Sequence, residues 1–318
     1  MAVRVAFVGC GGIASRHMQS LQQLAVQFVS FCDLDEGRAQ RAAAQYNGKA
    51  YTDFDKMLKS EKFDALWVCV PPHGHVGQEQ KAAEKGIHIM VEKPVANNLA
   101  SAREVEAAIA KAGVVNCVAY HWRYMDITRK ALEILKDYRV GMALGYWIGG
   151  LPGVAWWRVQ AESGGQLVEQ TTHIVDLCRY LVGEVRRVHA VGALSNLTDV
   201  PNLDVWDVAC VNLEFENGAI GNVSNSCMIP QGHLVGLHLF ARDLVLEIGG
   251  RLVIKRPRHR EEIEGSLDPN LEENKAFLRG IEQGDSSGIR SSYADGVKTL
   301  AVTLAADQSG RTHQVVEL

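Results

Sequence analysis

Long apolar runs are missing from this chain of 318 residues. No run of about 18 apolar residues occurs, which excludes a transmembrane helix. The chain opens with a strand-like pattern and a glycine turn where a signal peptide would carry its apolar segment, so we expect a cytoplasmic protein. A strong charge imbalance is missing as well. The formal net charge of −4 gives no reason to expect nucleic acid or an anionic membrane as a partner.

Cysteines at metal-binding or redox spacing are also missing. The seven cysteines are scattered, odd in number and never spaced as C-x-x-C. Most of them lie within or at the ends of apolar runs, where cysteine behaves as a small apolar side chain. We therefore expect no metal site, no disulfide framework and a reducing compartment.

Near its start the sequence contains a strand, a glycine-rich turn and a helix in succession. Residues 3–8 form a short apolar, β-branched run, and residues 13–24 carry apolar side chains at helical spacing. The turn between them fits the pattern G-x-G-x-x-G/A, with the residues Gly9-Cys10-Gly11-Gly12-Ile13-Ala14.

Each small residue of this turn has a physical reason to be there if the turn binds a dinucleotide. Gly9 permits a tight turn, Gly11 lets a pyrophosphate approach because it has no Cβ, and Ala14 allows close helix–strand packing. The helix would present its free N–H groups to the phosphates. A structural turn that binds nothing is the alternative. The order of elements favours dinucleotide binding, because a second strand, Val26–Cys32, ends in an acid, Asp33.

Asp33 also predicts which dinucleotide is preferred. Its carboxylate can accept hydrogen bonds from both ribose hydroxyls, whereas a 2′-phosphate there would place like charges together. Leu34 offers no cation, and Arg38, the nearby candidate for a cofactor contact, could equally pair with Asp35. The sequence therefore predicts NAD in preference to NADP.

Strands and helices alternate over the first 120 residues, which predicts a parallel sheet with helices on both faces. The length of the chain favours two domains. We expect a Rossmann dinucleotide-binding domain over residues 1–120 and a fold of the α/β class. Its further predicted strands are residues 65–70, 87–91 and 114–119, and its helix before the fourth strand is 75–85.

The alternation fails in residues 121–318, where runs separated by turn residues predict antiparallel hairpins. One long helix is predicted over residues 165–181, and the basic cluster at 251–260 is predicted to be a solvated hairpin or loop. We therefore expect an α+β domain with a large, mostly antiparallel open sheet that serves substrate binding and oligomerisation. Its predicted strands are residues 143–148, 187–194, 205–215, 219–227, 234–240, 244–248 and 252–255.

Two polar segments follow predicted parallel strands, where ligands bind in such sheets. They are Pro71-Pro72-His73-Gly74-His75 and Glu92-Lys93-Pro94. A lysine held between a strand end and a proline has little freedom, and its amine could serve as a general acid and base beside a nicotinamide ring. An exposed strand-end pair of Glu92 and Lys93 is the other interpretation, and the spacing leaves both open.

Glu169, His173 and Asp176 share one face of the predicted helix at i, i+4 and i+7. A carboxylate and an imidazole there could hold a hydroxyl group and help to move its proton. A capped helix with an incidental histidine is the alternative. A metal site would need further ligands, and His121 is the only obvious candidate.

Two clusters combine aromatic rings with arginine, which suits polyhydroxylated or anionic ligands. A buried tryptophan is more often part of a core, so packing is the alternative for either tryptophan considered alone. The clusters are Tyr120-His121-Trp122-Arg123-Tyr124 and Trp156-Trp157-Arg158.

Over essentially its whole length the chain resembles the Gfo/Idh/MocA oxidoreductases, the family of glucose–fructose oxidoreductase and inositol dehydrogenase. The most specific matches are the turn from Gly9 to Ala14, the Glu92-Lys93-Pro94 segment, and Gly164-Gly165 followed by Glu169, His173 and Asp176. Weaker family positions are matched by Pro71, His75, Arg123 and Trp157-Arg158.

The resemblance implies roles for these residues. Lys93 is the catalytic acid and base, and His173 binds the reacting hydroxyl. Glu169 contacts substrate, although family dehydrogenases often have Asp there. The other predicted substrate-binding residues are Arg123, Tyr120, Trp156 and Asp176. The cofactor group consists of residues 9–14, Asp33, Arg38, Pro71, Pro72, His75, Glu92, Lys93, Trp157 and Arg158.

The function predicted first is NAD-dependent hydride transfer from a sugar, inositol or related polyol, by a homodimer or homotetramer. The resemblance and the large sheet both favour such an assembly. One alternative keeps the cofactor but cleaves a glycosidic bond through transient oxidation. Another is a non-catalytic regulator that binds the dinucleotide, against which the pair of Lys93 and His173 argues.

Overall fold

The computed structural model describes residues 2–318, which divide into two compact units. The first unit comprises the chain up to His121 together with Asp268–Val297, and the second comprises Trp122–Leu267 and Lys298–Leu318. The return of a later segment to the first unit differs from the expected pair of continuous domains at 1–120 and 121–318.

Two groups of regular elements make up the described chain. The strands are β1 (Val3–Val8), β2 (Val26–Cys32), β3 (Lys49–Tyr51), β4 (Ala65–Val68), β5 (His88–Val91), β6 (Asn116–Val118), β7 (Val140–Ile148), β8 (Val185–Ala193), β9 (Val208–Phe215), β10 (Ile220–Ser226), β11 (Leu234–Ala241), β12 (Leu244–Ile248), β13 (Arg251–Arg256), β14 (His259–Glu264) and β15 (Val316–Glu317). The helices are α1 (Gly12–Leu21), α2 (Glu36–Tyr46), α3 (Phe54–Ser60), α4 (Gln78–Glu84), α5 (Leu99–Ala112), α6 (Asp126–Leu135), α7 (Gln160–Ser163), α8 (Gly165–Glu169), α9 (Thr172–Leu181), α10 (Pro269–Gln283) and α11 (Tyr293–Thr312).

The first unit is built on a six-stranded sheet in the order β3-β2-β1-β4-β5-β6, and its strand pairs are parallel. Its central strands are almost entirely buried, as a sheet with helices on both faces requires. Four helices begin at an N-cap side chain that accepts a backbone N–H of the first turn. These caps are Asp35 for α2, Asp53 for α3, Asn98 for α5 and Asp268 for α10. The predicted Rossmann architecture is confirmed.

Helix α4 starts later than predicted. Residues Pro72–Gly74 form a separate 3-10 turn, and α4 begins only at Gln78, after Gly77 in a left-handed conformation with φ of +98°. The helical spacing continued through this turn, but a glycine with positive φ interrupts the helix.

The second unit contains a nine-stranded sheet in the order β14-β13-β12-β11-β7-β10-β9-β8-β15. Strands β7 and β10 are parallel, whereas the other neighbouring strands are antiparallel. This confirms the predicted mostly antiparallel sheet. The basic cluster at 251–260 forms the β13–β14 hairpin, where Arg251 and Arg260 pair with Glu262.

One face of this sheet packs against helices, with α9 contributing Ile174, Val175 and Leu177 to the main core. The opposite face carries exposed apolar side chains, including Leu144, Val191 and Ile220. The alternation of side chains along each strand explains the difference, because Ala143 and Val223 point to the core while Leu144 and Ile220 point away.

Candidate functional site

The glycine turn between β1 and α1 has the geometry that the sequence predicts. Gly9 has a φ of +82°, and a Cβ built there would lie 2.3 Å from the carbonyl oxygen of Cys69. Any larger residue would therefore have to move the backbone that follows β4. At Gly11 and Gly12 a Cβ would meet no described atom within 4 Å, which leaves open space at the first turn of α1.

Asp33 lies at the end of β2 beside this turn, and backbone groups orient its carboxylate. Oδ2 accepts the N–H of Cys10 at 2.8 Å, and Oδ1 accepts the N–H of Asp35 at 2.9 Å. Arg38 reaches both acids, with its Nε 3.5 Å from Asp35 Oδ2 and its Nη1 4.0 Å from Asp33 Oδ1. Its guanidinium is thus engaged with the two carboxylates.

These features fit a dinucleotide. The N-terminus of α1 has no side-chain cap, so its N–H groups remain available to a phosphate. The open space at Gly11 and Gly12 admits such a group, and the fixed Asp33 carboxylate keeps lone pairs for ribose hydroxyls. The fit to a dinucleotide therefore rests on the backbone of the glycine turn with the first turn of α1, and on the Asp33 carboxylate.

Glu92 and Lys93 follow β5, and Glu92 is buried whereas Lys93 is half-buried. Glu92 Oε1 accepts from Nε2 of His17, which lies on α1, at 3.0 Å, and Glu92 Oε2 accepts the backbone N–H of Lys93 at 3.1 Å. The pair is therefore not the exposed strand-end pair of the alternative interpretation. Glu92 is an interior residue, and its predicted contact with the cofactor stays a prediction.

Pro71, Pro72 and His75 lie in the loop after β4. His75 Nδ1 and Glu79 Oε1 are 2.5 Å apart, and both side chains are buried. His75 is thus anchored to the first turn of α4. The predicted contacts of these three residues with a cofactor stay predictions.

The expectation of one continuous helix over residues 165–181 is wrong. Helix α8 ends at Glu169 and α9 begins at Thr172, because the hydrogen-bond pattern changes between them. Thr171 N–H reaches back five residues to Gln166 O, while the N–H of Ile174 reaches back only three to Thr171 O. Glu169 and His173 therefore do not lie on one straight helical stripe.

Each of these two residues is held by a tryptophan instead. The carboxylate of Glu169 accepts Nε1–H of the buried Trp157 at 2.9 Å. The imidazole of His173 stacks on Trp147 of β7, with ring centroids 5.8 Å apart and an angle of 20° between the planes. Trp147 was missed by sequence reasoning, since only the fold brings β7 against α9.

Arg123 and Asp176, both predicted to bind substrate, form a buried ion pair with each other. The guanidinium donates from Nε and Nη2 to the two carboxylate oxygens at 2.7 and 2.6 Å. Thr299 Oγ1 donates to the same carboxylate at 2.9 Å, and the guanidinium lies over the ring of Tyr180. This arrangement gives the pair a packing role, and its contact with substrate stays a prediction.

The remaining predicted residues differ in exposure. Tyr120 is fully buried in the first unit. Trp156 and Arg158 lie in the 3-10 turn Ala155–Arg158, and both are half-buried. Trp156 packs there against a small core that includes Trp157. Their predicted ligand contacts stay predictions.

Within residues 2–318 no group of three or more His, Cys, Asp or Glu side chains is arranged to hold a metal ion. In the same part of the chain, no helix is long and apolar enough to cross a membrane.

Two family descriptions match the chain. Residues 3–120 match the oxidoreductase family with an NAD-binding Rossmann fold, and residues 140–251 match the Gfo/Idh/MocA C-terminal domain. The chain belongs to the Gfo/Idh/MocA oxidoreductase family. The predicted family and the prediction that the protein is an enzyme, an oxidoreductase with an NAD-binding domain, are confirmed.

Relatives in this family are similar over most of their length. The myo-inositol 2-dehydrogenase of Thermotoga maritima is 25% identical, with 99% of this chain and 98% of that protein covered. The scyllo-inositol 2-dehydrogenase (NAD(+)) of Bacillus subtilis is 26% identical, with 78% and 74% covered. The WlbA dehydrogenase of Bordetella pertussis, solved with NADH and UDP-GlcNAcA, superposes with a TM-score of 0.87 at 22% identity over 100% and 99% of the two chains.

Proposed function

We propose that this family member is an NAD-dependent dehydrogenase that oxidises a CH–OH group of a sugar, inositol or related polyol. The observation that carries the proposal is the position of Lys93 just after the carboxyl end of β5. Its backbone N–H donates there to the carboxylate of the buried Glu92. The names of the inositol dehydrogenases among its relatives support the substrate class.

In this proposal a bound NAD supplies the acceptor for the hydride. The Lys93 amine accepts the proton that leaves the substrate hydroxyl and returns it in the reverse direction. The His173 imidazole, oriented by its stack on Trp147, binds the hydroxyl oxygen. Glu169, oriented by Trp157, accepts a hydrogen bond from a neighbouring hydroxyl of the substrate.

We further propose that NAD is preferred over NADP. The Asp33 carboxylate would meet a 2′-phosphate with like charge, and Arg38 is already engaged with Asp33 and Asp35. We also place the enzyme in the cytoplasm, because its free cysteines suit a reducing compartment.

The assembly we propose is a homodimer or homotetramer. It would cover the open face of the nine-stranded sheet, where Leu144 and Ile220 are 37% and 56% exposed. Exposed apolar side chains of this kind favour a second copy over solvent.

A panel experiment tests the proposed activity. The protein is incubated with NAD and, separately, with inositol isomers, free sugars, glycosides and nucleotide sugars, and NADH formation is followed by absorbance. Formation of NADH with at least one of these classes is the expected result. Release of a free sugar from a glycoside without net formation of NADH would instead favour glycosidic cleavage through transient oxidation.

A further inference from the structure

The buried side chain of Gln166 ties helix α8 to two strands of the nine-stranded sheet. Its Nε2 donates to Trp147 O of β7 at 3.3 Å and to Ser226 O of β10 at 3.0 Å. Its Oε1 accepts from Nδ2 of Asn225, which also lies on β10, at 2.8 Å. Gln166 and Asn225 are 2% and 3% exposed, so water competes little for these hydrogen bonds.

The acceptors determine which way the Gln166 amide faces. Trp147 O and Ser226 O can only accept, so the Gln166 atom beside them is the donor nitrogen. The amide oxygen then faces Asn225, which presents its own nitrogen as the donor. Strands β7 and β10 are parallel neighbours that set Trp147 opposite Asn225, so these hydrogen bonds lie together at one place in the sheet.

The backbone of Gln166 acts at the break that follows α8. Its carbonyl accepts the N–H groups of Gln170 at 3.0 Å and of Thr171 at 2.9 Å. Glu169 is the last residue of α8, and His173 lies in the first turn of α9. Gln166 therefore holds α8 against the sheet with its side chain and takes part, with its carbonyl, in the turn that separates Glu169 from His173.

Two tryptophans connect this anchor to the side chains that we propose to bind substrate. The ring of Trp147, whose carbonyl accepts from Gln166, stacks on the imidazole of His173. Trp157 Nε1–H donates to the carboxylate of Glu169, which α8 carries. A shift of α8 along the sheet would thus move Glu169 relative to the stacked rings of Trp147 and His173.

A neutral amide suits this buried place better than other side chains of similar size. A lysine could also donate to two carbonyls, but a buried charge without a carboxylate partner is unfavourable. A glutamate could not donate, and a methionine would leave both carbonyls and the Asn225 amide without this partner. Glutamine donates to two carbonyls and accepts from Asn225 without introducing a charge.

We propose that Gln166 is a positioning residue that sets the placement of Glu169 relative to His173, and that Asn225 acts through Gln166 by holding its amide. The consequence for catalysis rests on the proposed function, in which both side chains bind hydroxyls of one substrate. Misplacing two such groups by about an ångström changes how the reacting carbon faces the cofactor. The anchoring of Gln166 itself does not depend on that function.

The test reads both placements by NMR and needs no substrate. The indole N–H signal of Trp157 reports its hydrogen bond to Glu169, and the ring C–H signals of His173 report the stack on Trp147. Glu169→Leu and Trp147→Leu show where each signal lies without its contact. We expect Gln166→Met, which is similar in size but has no donor, to move both signals toward these reference positions.

Thr303→Val is the control for a merely destabilising change. Thr303 is a buried polar residue of the same unit, and its hydroxyl donates to Leu300 O within α11. This variant should leave both signals at their native positions.

Asn225→Leu tests whether Asn225 acts through Gln166. It should move both signals in the same direction as Gln166→Met. Adding it to Gln166→Met should move them no further, because the amide that Asn225 holds is then already absent. If Gln166→Met does not fold, Asn225→Leu decides alone.

Native signals of Trp157 and His173 in the folded variants of Gln166 and Asn225 would overturn the positioning role. With a substrate from the panel, Gln166→Met should lower kcat/KM by at least about tenfold while NAD binds with native affinity. Native kcat/KM with shifted signals would refute the catalytic consequence. The proposed function can fail separately, since full activity in Lys93→Ala would refute it while the signals of Gln166→Met stay shifted.

Discussion

The Asp33 carboxylate accepts two backbone N–H groups and so has one orientation beside the glycine turn. We expect Asp33→Ser to reduce the preference for NAD over NADP by about tenfold, because removing a like-charge repulsion of about 1.4 kcal/mol changes affinity by that factor. The comparison is the ratio of kcat/KM for the two cofactors with one substrate.

Arg38→Ala is the companion variant for this prediction. It should leave the ratio close to native if Arg38 serves only its two acid partners. Equal kcat/KM for NAD and NADP in the unmodified protein would show that a cation does reach the phosphate, and our interpretation of Asp33 would be wrong.

Single residues were predictable from sequence where a motif places them and not where the fold brings them together. Gly9 and Asp33 directly follow β1 and β2, and Lys93 is the second residue after β5, so their positions at these strand ends could be predicted. Asn274 could not, because the residue that its side chain contacts, His17, lies 257 positions away. Trp147 likewise reaches His173 only through the packing of a strand against a helix.

At the scale of elements, two glycines of the β1–α1 turn are expected to have different roles, Gly9 in stability and Gly11 in cofactor binding. Gly9→Ala should destabilise the protein by about 1 to 3 kcal/mol, because φ is +82° and the new Cβ would collide with Cys69 O. Gly11→Ala has space in the unliganded protein and a φ of −79°, so its melting temperature should stay near native.

The same Gly11→Ala protein should bind NAD at least about tenfold more weakly, because its Cβ would occupy space proposed for the pyrophosphate. Thermal unfolding and calorimetric titration measure the two effects. Native affinity in Gly11→Ala would place the pyrophosphate elsewhere.

The ion pair of Arg123 and Asp176 ties the 3-10 turn His121–Tyr124 to α9. Asp176→Ala leaves a buried guanidinium without its carboxylate and should lower the free energy of unfolding by about 3 to 5 kcal/mol. Denaturant unfolding measures this loss. Native stability combined with a raised KM would instead support the substrate contact implied by the family resemblance.

Element boundaries were predictable where capping and glycine signals are strong, as in α2, whose bounds match the apolar spacing and the Asp35 cap. The break between α8 and α9 was not predictable, because Gln170 and Thr171 carry no helix-breaking signal. The return of α10 to the first unit also escaped prediction, since its helical pattern carries no information about which unit it packs against.

For the whole molecule, the open face of the sheet predicts association. Leu144→Glu combined with Ile220→Glu would place charges on that face and should convert the proposed dimer or tetramer to a monomer at micromolar concentration. Light scattering coupled to size exclusion measures the mass. Leu267→Glu, an equally exposed leucine outside the sheet, is the control and should keep the native mass. A native protein that is monomeric throughout would contradict the proposed assembly.

The central claim is that Lys93 moves the proton during NAD-dependent oxidation of a CH–OH group. The most direct measurement is the rate of NADH formation with a substrate identified from the panel, in the native protein, Lys93→Ala and the control Lys111→Ala. The account predicts that Lys93→Ala still binds NAD but loses kcat by at least about a hundredfold, whereas Lys111→Ala stays native. A kcat near the native value in Lys93→Ala would contradict it.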